Sequence, residues 1–218
     1  MDFIDVRDDY WKYYISLEKQ FIETRRFVEF DYINNGKAYS IEFLKLFQAV
    51  CSEIDVIGKT LAVVLDPSFK PNKHTGINEW WYYVLSSDPL IESAKCNMFG
   101  ERIIEPWKKF RIIRNPKPKA KKFILDDTNT PKAKTPFWWN DYNSVKHDRT
   151  GHYQKNATNY AKANLRNLFY AFAALFTLET KLMEKMFTDK DDTVSSEMES
   201  KLFTNEVSFY TTLLSISK

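Results

Sequence analysis

A chain of 218 residues with 44% hydrophobic and 16% aromatic content is long enough to bury a sizeable core. It has 28% charged residues, no apolar run of 18 or more, and an opening Met1-Asp2-Phe3-Ile4-Asp5 that lacks the basic and apolar regions of a signal peptide, so nothing points to export or membrane spanning and a cytoplasmic location is expected. The net charge of +3 is uneven: Arg102 to Lys134 holds eleven Lys and Arg against Glu105, Asp126 and Asp127, a local balance of +8 that leaves −5 for the remainder.

In chain order, Asp8 or Asp9 is placed to cap a first helix, surface-lying and amphipathic, whose apolar positions Tyr10, Tyr13, Tyr14, Leu17 and Phe21 recur at helical spacing. Asn34-Asn35-Gly36-Lys37 reads as a turn that closes a small hairpin. Ser40 caps a second helix from about Ile41 to Leu65, with Phe43, Leu44, Phe47, Val50, Cys51, Ile54, Ile57, Leu61 and Val64 on its stripe and Pro67 marking its end. Glu53 lies only about 60° from the mean of that stripe, at ~100° per residue, so it either faces water or points at basic groups elsewhere in the chain. Cys51 and Cys96 lack the spacing of a zinc site and are expected to be reduced, packed thiols.

His74 falls in the loop from Lys70 to Gly76 and reads as exposed. A third helix is expected from Asn78, its cap, through Trp80, Trp81, Tyr83, Val84 and Leu85, bending at Asp88-Pro89. Ala94 to Ile104, interrupted by Gly100, suits a small β or irregular excursion. Residues 111–136 carry Pro116, Pro118, Pro131 and Pro136 among eight Lys and Arg, and the pattern predicts an extended basic insertion that contributes little core. Within it Lys117, Lys119, Lys121 and Lys122 are the candidate nucleic-acid contacts, because cations near phosphates release counterions and gain sequence-independent affinity. No Walker-type or dinucleotide fingerprint accompanies them.

A long helix is expected from Asn156 to about Phe187, with Leu165, Leu168, Phe169, Phe172, Leu175, Phe176, Leu182 and Met186 on one face and Ala171, Ala173 and Ala174 permitting close approach. Ser196 with Glu199 forms a capping-box pattern, and the tail to Lys218 reads as either helix or strand. Together these elements predict a mainly α fold, a bundle of four to six helices forming one domain over 1–218, with the helix near 41–65 packed on that near 157–187.

Chemistry concentrates at Phe137 to Arg149. If Trp138 to Arg149 is helical, Asn143, Lys146 and His147 share a face at spacings of three and four, with Tyr142 and Arg149 flanking it and His152 just beyond. A histidine beside cations that grip phosphate is what metal-free RNA cleavage needs, the imidazole moving the 2′-hydroxyl proton and the cations stabilising the phosphorane. On that reading His147 is the acid/base, Lys146 and Arg149 hold phosphate, Asn143 orients, and Glu53, Tyr142 and His152 support. His147 and Asn143 equally suit interhelical hydrogen bonds that fix the fold, and both readings stand at this level. Ser144 lies on no glycine elbow, which argues against a serine nucleophile. No metal cluster and no cofactor site is discerned.

The run Trp138-Trp139-x-x-Tyr142-Asn143-x-Val145-Lys146-His147-x-Arg149, followed by Ala163-Asn164-Leu165-x-Asn167 and Ala171-x-Ala173-Ala174-Leu175-Phe176, resembles an uncharacterised bacterial family and is similar in arrangement to the HEPN superfamily of helical bundles. The resemblance implies a metal-independent RNase, or an inactive RNA- or partner-binding relative, of a toxin-antitoxin or other defence system, with an antitoxin-like protein partner or a homodimer. The family's motif leaves four to six residues between an arginine and its histidine; here Tyr142, Asp141 and Asn140 hold those positions before His147, and of the residues so placed before His152, Lys146, a point charge, would have to substitute for the arginine. The alternative is a non-catalytic helical scaffold that binds a protein partner through an aromatic surface of Trp80, Trp81, Trp138 and Trp139.

Overall fold

The chain opens on a helix because Asp2 accepts from the Asp5 N–H while Asp5 returns the bond to the Asp2 N–H, a reciprocal capping box. This computed structural model describes residues 2–117, 121–128, 132–187 and 199–205, and the described chain is mainly α. Helix α1 (Phe3–Val6) runs through one π turn at Arg7–Trp11 into α2 (Lys12–Glu23). The expected start at Asp8 or Asp9 is therefore too late, and the helix is not surface-lying: Trp11, Tyr14, Leu17 and Phe21 are buried, and Phe21 stacks on Phe172 with ring centroids 4.8 Å apart.

Helix α3 (Ile41–Leu65) follows the expected stripe, with Ser40 Oγ accepting from the Phe43 N–H at 3.1 Å. Helix α6 (Leu165–Met186) carries the other long stripe, and among the described elements α3 and α6 make the most extensive contact, each covering the other's apolar face. Helix α6 begins nine residues after the expected Asn156. The intervening chain forms a small antiparallel hairpin, β5 (His152–Gln154) with β6 (Ala157–Thr158), and a 3₁₀ turn at Asn159–Lys162; the cap is Asn164, whose side chain accepts from the Asn167 N–H. The turn at 34–37 closes no hairpin. It hands the Gly36 and Ala38 carbonyls to the N–H groups of Arg166 and Leu165, satisfying the first turn of α6. A Cβ on Gly36 would run into the Tyr32 carbonyl oxygen.

Helix α4 (Ile77–Ser87) packs on α3; Gly76 rather than Asn78 is its cap, and Gly58 of α3 gives the Trp80 indole room. The excursion after it is a three-stranded antiparallel sheet ordered β2-β1-β7, made of β1 (Cys96–Met98), β2 (Arg102–Ile104) and β7 (Phe203–Asn205), with Met98 opposite Phe203. Buried Glu18 fastens the last segment by accepting from the Lys201 N–H at 2.6 Å and from the Ser200 and Tyr14 hydroxyls. Ser196 and the tail beyond Asn205 lie outside the described residues.

The described part of the basic stretch is extended but not free of the core. It forms an antiparallel hairpin, β3 (Ile112–Arg114) with β4 (Phe123–Leu125), and packs on α4 through buried Ile112 and Phe123, the latter against Tyr82 and Tyr83 at 4.9 and 6.0 Å. Two apolar residues on one face of the hairpin outweigh the solvation of its lysines. Cys51 and Cys96 are buried free thiols, and no helix among the described residues is long and apolar enough to cross a membrane.

Candidate functional site

Helix α5 (Phe137–His147) buries Trp138, Trp139, Tyr142 and Val145, which turns Asn140, Lys146 and His147 outward. The Trp138 indole N–H donates to the Pro106 carbonyl, and the Tyr142 ring meets Phe47 of α3 edge-on at 6.0 Å. Tyr142 thus faces the core, not an anion. Burial first, then the Cys51 and Asp55 charges, pushes its phenol up to about 12. Lys146 and His147 in the last turn suit the negative end of the helix dipole.

Beyond α5 the chain is held firmly. Asp148 Oδ1 accepts from the Gly151 N–H, the buried Asn159 amide donates to the Asp148 carbonyl at 2.7 Å, and the Tyr160 N–H donates to the Arg149 carbonyl at 3.0 Å. These bonds fix the rim from which Arg149 projects, beside a cavity of about 450 Å³ that it lines with Ile41, Leu44, Thr150, Thr158 and Tyr160. Lys146, His147 and Arg149 are exposed and Asn143 is partly so. Among the described residues no hydrogen bond or ion pair engages their side chains; Lys146 lies 5.5 Å from the Tyr142 ring centroid. His152 is also exposed, at the start of β5.

A second polar group on α5 is internal, and the sequence reading passed over it. Asp141 accepts from the Asn167 amide at 2.9 Å and pairs with Lys162 at 3.4 Å, while Lys162 donates to Ser144 Oγ at 3.0 Å. Asn167 is 2% exposed and also reaches the Lys162 carbonyl. These bonds tie α5 to the start of α6, so Asn167→Ala should cost about 1–3 kcal/mol in urea unfolding, because partners already removed from water lose their donor.

The remaining candidates lie elsewhere. Glu53 does not face the 143–149 run: half-buried on α3, it has its carboxyl raised by burial, and its charge acts on buried Glu179 of α6. Lys117, Lys121 and Lys122 are exposed on the β3–β4 hairpin with no ion pair among the described residues, and Lys119 lies outside those residues. The hairpin leans on Tyr83, whose ring lies tilted against Phe69 past the end of α3, whereas Arg149 sits beside Ile41 and Leu44 at its start. The two groups of cations therefore lie toward opposite ends of α3, a helix of 25 residues and roughly 37 Å. His74 is exposed in its loop.

Trp80, Trp81, Trp138 and Trp139 are all buried, so they form no aromatic surface for a partner. They bury because each indole finds other rings: Trp81 stacks on Trp107 at 4.4 Å, and Trp138 meets Trp107 edge-on at 5.4 Å. Among the described residues no three His, Cys, Asp or Glu side chains gather as a metal would require. Compared with family models, curated proteins and solved structures, the chain finds no match in any of the three.

Proposed function

We propose that the protein binds single-stranded RNA in the cytoplasm and cleaves it without a metal ion, as a HEPN-like helical bundle of a bacterial defence or stress system whose partner is an antitoxin-like protein or a second copy. One observation carries this reading: Lys146 and His147 in the last turn of α5 and Arg149 two residues past it are exposed, with no hydrogen bond or ion pair among the described residues, while the neighbouring Asp141 and Ser144 are engaged. In this mechanism His147 removes the 2′-hydroxyl proton, the 2′-oxygen attacks the adjacent phosphorus, and the 5′-oxygen leaves with a proton from water. Lys146 and Arg149 offset the charge that accumulates on the phosphorane. Asn143, one turn back on the same side of α5, orients the phosphate.

Labelled single-stranded RNA, with chelator present and at two salt concentrations, tests this. His147→Ala should lower cleavage by about 10²–10⁴-fold, the range of a positioned acid or base, with the dissociation constant nearly unchanged. Neutralising Lys117, Lys119, Lys121 and Lys122 should weaken binding and flatten its salt dependence. A wild-type protein that neither binds nor cleaves the RNA removes the proposal and leaves a helical scaffold.

A further inference from the structure

Arg102 of β2 and Arg166 in the first turn of α6 converge on one ring. The guanidinium carbon of Arg102 lies 4.1 Å from the Tyr32 centroid and that of Arg166 5.9 Å, and Arg166 also lies 4.8 Å from the Phe137 centroid. The platform is backed by Tyr170, half-buried, whose ring lies 6.4 Å from that of Tyr32 and meets Phe137 edge-on at 4.7 Å. Two like charges gathered on one ring repel each other, and among the described residues no carboxylate forms an ion pair with either. Asp31, the acid nearest in chain to Tyr32, accepts from the N–H groups of Ile33 and Asn34 and from the Asn34 amide, and the Arg102 charge reaches its carboxyl without an ion pair. An arginine stacked on an aromatic face keeps its N–H edge directed outward, the geometry that takes phosphate bidentately. The first N–H groups of α6 are already capped, so any anion here is held by side chains.

We infer that Arg102 and Arg166, held over Tyr32 and Phe137, form a phosphate-binding station. Resting on the RNA reading above, its ligand is the backbone of single-stranded RNA, with flanking aromatic rings of the kind on which unpaired bases stack. Phe137 opens α5 and His147 ends it, about 15 Å apart at the helical rise, so a strand lying along this helix meets both the station and the motif.

The test compares wild type, Arg166→Gln, Arg166→Lys and Arg102→Gln/Arg166→Gln in RNA-binding titrations between 50 and 200 mM salt, with unfolding midpoints as a check on folding. A parallel arm follows the Arg Nε–Hε resonances by NMR while pyrophosphate is added. The double variant should bind RNA on the order of 10-fold more weakly and lose roughly 1.4 from its log–log salt slope, two contacts at ~0.7 each on a single strand. Arg166→Lys should recover the slope but not the full affinity. RNA binding with slope and affinity unchanged in the double variant would overturn the station and spare the RNA reading. Pyrophosphate shifts at Arg102 and Arg166 in a protein that binds no RNA would support the station and remove RNA as its ligand. Neither response would overturn both.

Discussion

Trp107→Ala should cost about 3–5 kcal/mol, the range for truncating a large buried aromatic, and so remove much of a stability that for most domains is only ~5–15 kcal/mol. The indole is fully buried and acts as a node: it stacks on Trp81 at 4.4 Å, meets Trp80 and Trp138 edge-on at 6.2 and 5.4 Å, and donates from Nε1 to Thr177 Oγ at 2.8 Å. Truncation leaves a void shared by α4, α5 and α6, and the rigid indoles around it cannot collapse to fill it. Trp107→Phe keeps most of the ring contact and gives up the hydrogen bond; its cost should be about 1–2 kcal/mol, separating packing from polarity. Denaturant unfolding of the two variants is the measurement. A loss below ~1 kcal/mol for the alanine variant would mean that the cluster repacks around the gap. Because Trp138 and Trp139 seat α5 in this cluster, the alanine variant should also loosen the end of the helix that presents His147.

Trp107 illustrates which features of this fold are legible in the chain. Helix α3 is local in every respect: cap, stripe and terminating proline fall within 28 residues, and the helix forms where they say. The stripe of α6 is equally plain, but its start is not, since Ala157, Ala161 and Ala163 continue a helical composition through a stretch that tertiary bonds bend into a hairpin and a 3₁₀ turn. The true cap, Asn164, is visible only with the knowledge that loop 36–38 supplies carbonyls to the next two N–H groups. The tryptophans read as surface because adjacent indoles point about 100° apart on a helix, and local spacing sends one of each pair to solvent. Their shelter comes from Trp107, distant in sequence from both pairs. At the candidate site, the outward set of Lys146 and His147 follows from helical spacing once Trp138, Trp139, Tyr142 and Val145 are turned inward. Tyr142 and Glu53 were drawn toward that set by proximity in the motif or by charge, and burial sends both to other places. The meeting of Tyr32, Arg102 and Arg166 has no local signal, because three separate elements bring one residue each.

Glu179 was legible and was overlooked. It lies four residues after Leu175 and three before Leu182, squarely on the stripe of α6, and it is fully buried with neither carboxyl oxygen hydrogen-bonded among the described residues. Burial pushes its carboxyl well above the ordinary value of 4.5, and the charge of Glu53 across the α3–α6 contact pushes it further in the same direction. A carboxyl raised on folding binds more protons in the native than in the unfolded chain, so its contribution to stability is greatest below 4.5 and is lost as pH rises toward the elevated native value. Asp8, Asp31 and Asp66 are shifted the opposite way and act only on the acid side, below 3.8, so they do not mask the effect. Stability measured from pH 5 to 8 should therefore fall with rising pH in the wild type, and Glu179→Gln should flatten that slope. Glu179→Leu removes the orphaned polar atoms as well and should stabilise the protein at neutral pH by about 1–3 kcal/mol. Glu53→Gln, which leaves Glu179 in place but takes away its repelling neighbour, should reduce the slope without abolishing it. Denaturant midpoints for the three variants across this range decide the matter: a wild-type profile that rises with pH, or a destabilised Glu179→Leu, would show that the Glu179 carboxylate is charged and partnered in the native protein.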